Sequence, residues 1–119
     1  MNDLEIRSYL RENGYPEHIV RGGKTGLIDR WHRFVDEVEH GYEFGLEDYR
    51  NDLDLRGVIR LIDAEADVVE ADERLQAMLT NTEQRVWESG EGNPFWDYGF
   101  PRNASRLLLT DLRSEGLIE

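Results

Sequence analysis

Apolar positions recur every three or four residues along almost the whole chain, and no stretch alternates in the manner of a strand. Leu4, Ile6, Tyr9 and Leu10 predict a first helix, opened by Asn2 and Glu5 in the relation of a capping box. Gly14 takes the place of a left-handed C-cap, with Tyr15 beyond it folding back onto Leu10. Pro16 starts a short second helix, Glu17 to Arg21, which Gly22 and Gly23 end. A third helix runs from about Gly26 to His40, with Leu27, Ile28, Trp31, Phe34, Val35 and Val38 on one stripe, and Gly41 ends it.

From Leu46 to Ile62 the pattern is double. Leu46, Tyr49 and Leu53 share one face, whereas Leu55, Val58, Ile59 and Ile62 share nearly the opposite one. The expectation is a break or kink around Asn51 to Asp54, in the central element of the fold. Val68, Ala71, Leu75, Met78, Leu79, Thr82 and Val86 form the next stripe. Asp67 with Glu70 is a capping-box candidate for its start, and Thr80 with Glu83 for a restart. Asn103 is expected to cap a last helix through Leu107, Leu108, Leu109 and Leu112, with Gly116 letting Leu117 close onto Leu112. The chain therefore reads as all-α: a single helical domain over residues 1–119, a compact bundle of five or six helices with one aromatic-rich loop.

That loop is "GNPFWDYGFP", residues 92–101. Bounded by Gly and Pro, it must reverse the chain, yet it holds the side chains of a core. Phe95, Trp96 and Phe100 are expected to lie over the apolar surface near Trp87, because aromatics of this size bury most of their area. Asp97 and Tyr98 are its exposed members in that arrangement. If Trp96 faces solvent instead, the loop becomes a contact site.

Charge changes the picture more than composition does. The net charge is −12, and its location is uneven. Residues 1–35 hold six basic and five acidic side chains, residues 36–73 hold three and fourteen, and the remainder hold five and seven. The middle third thus carries nearly the whole field. Binding to a phosphate backbone needs clustered Lys and Arg, which are missing, and an anionic membrane surface would repel this segment. A basic protein is the favoured partner, with association steered by charge and weakened by salt. The plain alternative is a solvated acidic face that keeps the protein soluble. The absence of cysteine excludes disulfides and thiol catalysis and suits a reducing, cytoplasmic setting. "MNDLEIRSYL" is too charged for a signal peptide, and no apolar run is long enough to span a bilayer.

Several motifs invite chemistry. "RGGKTG", Arg21 to Gly26, is similar to a phosphate-binding loop, but His18 stands where its first glycine belongs and no strand precedes it. A helix stop followed by a helix start explains it better. His32, Asp36 and His40 align at i, i+4 and i+8 and could ligate a metal, though on the face opposite the apolar stripe. "DLDLRGVIRLID" resembles a calcium loop through Asp52, Asp54, Gly57 and Asp63. Arg56 and Arg60 stand where oxygen ligands are needed, and Asp63 is shorter than the bidentate Glu. No nucleophile–base–acid set and no dinucleotide fingerprint stands out, so the chain is read as non-enzymatic and cofactor-free.

Trp31, Phe34-Val35, Val38, Gly41-Tyr42 and "EDYRNDLDLR" from Glu47 to Arg56 resemble a group of small bacterial proteins. These share a tryptophan-bearing helix, a Gly-Tyr step and an Asp-Tyr-x-Asn-Asp-Leu-Asp-x-Arg run. The resemblance brings no activity, cofactor or partner with it. It singles out Tyr49, Asn51, Asp52, Asp54 and Arg56 as the densest polar cluster beside apolar positions, a hydrogen-bonded core network if buried and a contact surface if exposed.

The expected function is a non-enzymatic protein-interaction domain whose acidic middle engages a basic protein surface, as inhibitor or immunity-type proteins and nucleic-acid mimics do. Asp36, Glu37, Glu39, Glu43, Glu47 and Asp48 would supply the charge, with Tyr42 and Phe44 as apolar anchors between them. The alternative is a calcium- or zinc-binding helical domain using Asp52, Asp54 and Asp63, or the His32, Asp36 and His40 face.

Overall fold

The computed structural model describes residues 2–79, 99–116 and 118. Among them are five α-helices: α1 (Asp3–Glu12), α2 (Glu17–His40), α3 (Leu46–Leu61), α4 (Val69–Met78) and α5 (Arg106–Ser114), with a 3₁₀ turn at Glu65–Val68. The all-α class read from the periodicity is the class observed. No helix among the described residues is long and apolar enough to cross a membrane.

The start and end of α1 follow its sequence signals. Asn2 Oδ1 accepts from Glu5 N at 2.9 Å, and Glu5 Oε1 accepts from Asn2 N at 3.4 Å, closing the capping box. At the other end Gly14 is left-handed (φ 77°), Gly14 N donates to Arg11 O, and Tyr15 N donates to Leu10 O. That is a complete Schellman motif, and it fixes where Tyr15 stands.

α2 carries helical turns on both sides of Gly23, whose φ of 59° and ψ of −149° make a kink. The expected gap from Gly22 to Gly26 is thus a single residue. Gly23 serves two needs at once. Its φ suits only glycine, and a Cβ there would stand 3.2 Å from Asp3 Oδ1, so the Asp3 side chain of α1 would have to give way slightly. Beyond the kink Leu27, Trp31, Phe34, Val35 and Val38 are all fully buried, each such side chain stabilising by roughly 1.5–3 kcal/mol. Gly41, at φ 110°, ends the helix.

α3 runs unbroken from Leu46 to Leu61, so the break expected around Asn51 to Asp54 does not form. Both apolar faces are buried because the helix has neighbours on several sides: α2 and α5 pack on it, and Arg56 reaches α4. A helix in that position can carry two apolar faces and still keep Glu47, Asp48, Asn51 and Arg60 in solvent between them. It ends in a second Schellman motif, with Asp63 in the left-handed place (φ 59°) and Ala64 N donating to Ile59 O.

Two caps differ from expectation. Asp67 and Glu70 form no capping box: the 3₁₀ turn leads directly into α4, whose N-cap is Val68, and the Asp67 carboxylate instead lies 3.8 Å from Lys24 Nζ. At α5 the cap is Ser105, which accepts from Leu108 N at 3.1 Å, while Asn103 Nδ2 donates to Val38 O at 3.4 Å. Ser105 has the extended backbone a cap requires, and Asn103 is spent holding the chain to α2. Leu79 pairs with Pro101 beyond α4, bringing residues 99–102 back to the bundle. The Thr80–Glu83 restart, the Thr82–Val86 part of the stripe and the Leu117 closure lie outside the described residues.

Candidate functional site

Helix geometry divides the polar cluster read on α3. Tyr49 is fully buried and donates to Gly99 O at 2.8 Å. Asp52 is buried too: Oδ2 accepts from the Tyr42 hydroxyl at 2.7 Å and Oδ1 from Arg30 Nη2 at 3.0 Å, while Arg30 Nη1 reaches Glu37 at 3.4 Å. Burial raises the Asp52 carboxyl above its ordinary range, against the pull of the Tyr42 bond and the Arg30 charge. Arg56, 5% exposed, binds Asp72 through Nε and Nη2 and Glu65 at 2.7 Å, and Trp31 Nε1 donates to the same Asp72 at 2.8 Å. Asp52 and Arg56 therefore cross-link helices. Asn51 is exposed and Asp54 half-buried, on the outer side of α3.

The acidic surface is likewise sorted by the fold. Tyr42 is not an exposed anchor: it is 1% exposed, its ring packed edge-on against Phe34 and Tyr49 and its hydroxyl committed to Asp52. Burial is the main cause that drives its hydroxyl far above the usual phenol range, with Asp52 adding to it. Asp36 and Glu39 both hold Arg74, at 2.8 Å for Asp36 and in an even closer contact for Glu39, and Glu37 is half-buried against Arg30. The bond from Arg74 holds the Asp36 carboxyl below its ordinary range. These three acids offer a partner less charge than their number suggests.

What remains open is the turn into α3. Glu43, Glu47 and Asp48 are exposed and form no ion pair with any described residue, and Phe44 is 47% exposed with one edge against Tyr42 at 5.5 Å. Beside them stands Leu107 of α5, 54% exposed. It touches Gly45, where an added Cβ would lie 3.4 Å from Leu107 Cγ and 2.5 Å from Asp111 Oδ2. A side chain at this position would displace the Asp111 carboxylate, to which Leu46 N donates at 3.0 Å. A cleft of about 510 Å³ continues from this point between Glu47, Arg50 and Asn51 on one side and Asp111 and Glu115 on the other. The sequence pattern places Leu107 in the last helix without marking it as a surface residue. The signal was its place in three consecutive leucines, since a helix cannot bury all three on one narrow stripe.

The metal-ligand alternatives are held apart by other bonds. His40 Nδ1 lies 2.8 Å from Asp36 O, His32 Nε2 lies 3.3 Å from Asp67 O, and the Asp36 carboxylate is on Arg74. Asp52 and Asp54 sit within a continuous helix, and Asp63 is exposed at the turn that ends it. Among the described residues no group of three His, Asp or Glu side chains is placed to hold an ion. In the aromatic loop Phe95, Trp96, Asp97 and Tyr98 lie outside the described residues, and Phe100 is half-buried against the core.

Comparison with protein families, with curated proteins and with solved structures finds no match for this chain.

Proposed function

We propose that this protein is a non-enzymatic interaction module whose acidic surface engages a basic protein. Phe44 and Leu107 are its apolar anchors, and Glu43, Glu47 and Asp48 its charged rim. The observation that carries the reading is the conjunction at Gly45: two large apolar side chains half open to solvent, beside three exposed carboxylates that form no ion pair with any described residue. Aromatic anchors supply most of the energy in such interfaces, while rim charge sets the association rate and the choice of partner. A cluster of unpaired carboxylates favours a partner rich in Lys and Arg, and nucleic-acid-binding proteins are one class of that kind.

The test is a pull-down from native-host lysate at low and high salt, with Phe44→Ser and the double change Glu43→Lys plus Glu47→Lys run in parallel. Basic proteins should be retained at low salt, released at high salt and lost in both variants. Retention that survives the double charge reversal overturns the reading.

A further inference from the structure

A second cleft, of about 570 Å³, opens between the turn that follows α1 and the outer side of α3. One wall is Tyr9 and Tyr15, the second fixed in place by the Schellman turn at Gly14. The other wall is Asn51, Asp54 and Leu55, with Arg30 and Asp52 behind.

The chemistry of this cleft is set by which of its groups are already spent. Arg30 is bound to both Asp52 and Glu37, and Asp52 also accepts from Tyr42. Asp54 is different. It is half-buried, and it makes no hydrogen bond or ion pair with any described residue. Burial raises its carboxyl above the ordinary range, and its charge helps to raise the neighbouring Tyr15 hydroxyl, after burial of that group itself. Asn51, whose side chain makes no hydrogen bond with any described residue, brings an amide to the same cleft. The cleft thus offers two aromatic rings, a carboxylate without a described partner and a side-chain amide, while Arg30 is neutralised by its two carboxylates and His18 is an exposed member of the lining.

An anion would meet Asp54 without a free counter-charge. A divalent metal would find a single free carboxylate where it needs several oxygens. A compact ammonium would satisfy the carboxylate but gain little from the rings beyond charge. A guanidinium fits each feature: its planar fork pairs with a carboxylate bidentately, its face stacks on tyrosine, and it sheds water more readily than an ammonium. We propose that the cleft lined by Tyr9, Tyr15, Asn51 and Asp54 is a receptor for a guanidinium group, carried by a free small molecule or by an arginine side chain. It stands independently of the Phe44 surface, because its ligand is recognised by the head group alone.

Amide NMR titrations of the whole chain at constant ionic strength test this directly. Methylguanidinium should give saturable shifts centred on Tyr9, Tyr15, Asn51 and Asp54, and methylammonium should bind several-fold more weakly. Asp54→Asn should weaken binding about tenfold, as loss of a charge-assisted pair does, and Tyr15→Leu should weaken it by a smaller factor. Glu47→Gln, outside the cleft, should leave it unchanged. Agmatine and N-acetylargininamide separate the sources: tighter binding of the first assigns a free ligand, tighter binding of the second an arginine in a chain. Shifts that do not saturate, that keep the parent affinity in Asp54→Asn, or that methylammonium reproduces at equal affinity overturn the proposal.

Discussion

The Tyr42 hydroxyl donates a 2.7 Å hydrogen bond to the Asp52 carboxylate inside the bundle, so the loop after α2 and the middle of α3 are held by one buried polar contact. Tyr42→Phe keeps the ring packing and removes only the donor. Urea denaturation should show a loss of about 1–3 kcal/mol, the cost of leaving a buried acceptor short of a partner. The Asp52 carboxyl should titrate higher still in this variant, because the lost bond was one of the influences lowering it. An unchanged midpoint and titration would mean that water replaces the hydroxyl without penalty.

Arg56 supports a larger effect. Its guanidinium, 5% exposed, is shared by Asp72 and Glu65, and Asp72 also accepts from Trp31. Arg56→Met should cost about 3–5 kcal/mol, since it strands a largely buried carboxylate. The double variant Arg56→Met with Asp72→Asn should recover part of that loss. If the double change is as costly as the sum of both single changes, the pair is not coupled as the geometry indicates.

Asp63 occupies a left-handed position that glycine usually fills. Asp63→Gly should stabilise the fold by about 0.5–1 kcal/mol, the relief of backbone strain exceeding the extra freedom glycine gives the unfolded chain. Thermal denaturation checks the sign. A lower melting temperature would show that the carboxylate has a role at this turn beyond its backbone.

Asp54 gives a pH signature. Its carboxyl is raised in the folded protein by burial, so its contribution to stability is full below the unfolded value near 3.8 and is lost as pH rises through the higher folded value. Arg30, Asp52 and His18 line the same cleft, and burial raises the Asp52 carboxyl as well, so the comparison is made between Asp54→Asn and a parent that keeps all three. Asp54→Asn should therefore gain stability relative to the parent as pH rises from 3 to about 7. Denaturation midpoints across that range provide the measurement, and a constant difference would rule out a desolvated Asp54.

The helix ends governed by local chemistry were legible in the sequence. Asn2 with Glu5, Gly14 with Tyr15, and Gly41 each act through neighbours within five residues, and each stands where the pattern placed it. What depends on distant neighbours was not legible. The double face of α3 reads as a kink until α2 and α5 are seen to cover both sides. Tyr42 reads as an anchor in an acidic run until the fold turns it inward, while Phe44, two residues on, stays out. Asp36 and Glu39 read as free charge because Arg74, far along the chain, shows no sequence relation to them. Cap choice at α5 failed for the same reason, as Val38 claims the Asn103 amide.

The kink at Gly23 bears on how the molecule opens as well as how it packs. It marks off a helical hairpin, residues 2–22, whose fully buried apolar side chains are Ile6, Leu10 and Val20, against the much larger set beyond it. Regions with few buried contacts separate early in native-state amide exchange, so this hairpin is expected to open ahead of the larger core beyond the kink. Tyr9 and Tyr15 belong to the hairpin and Asp54 does not. An occupant bridging the two would act as a clasp, slowing exchange across residues 2–22 by mass action while leaving the amides of α3 and α4 at their own pace.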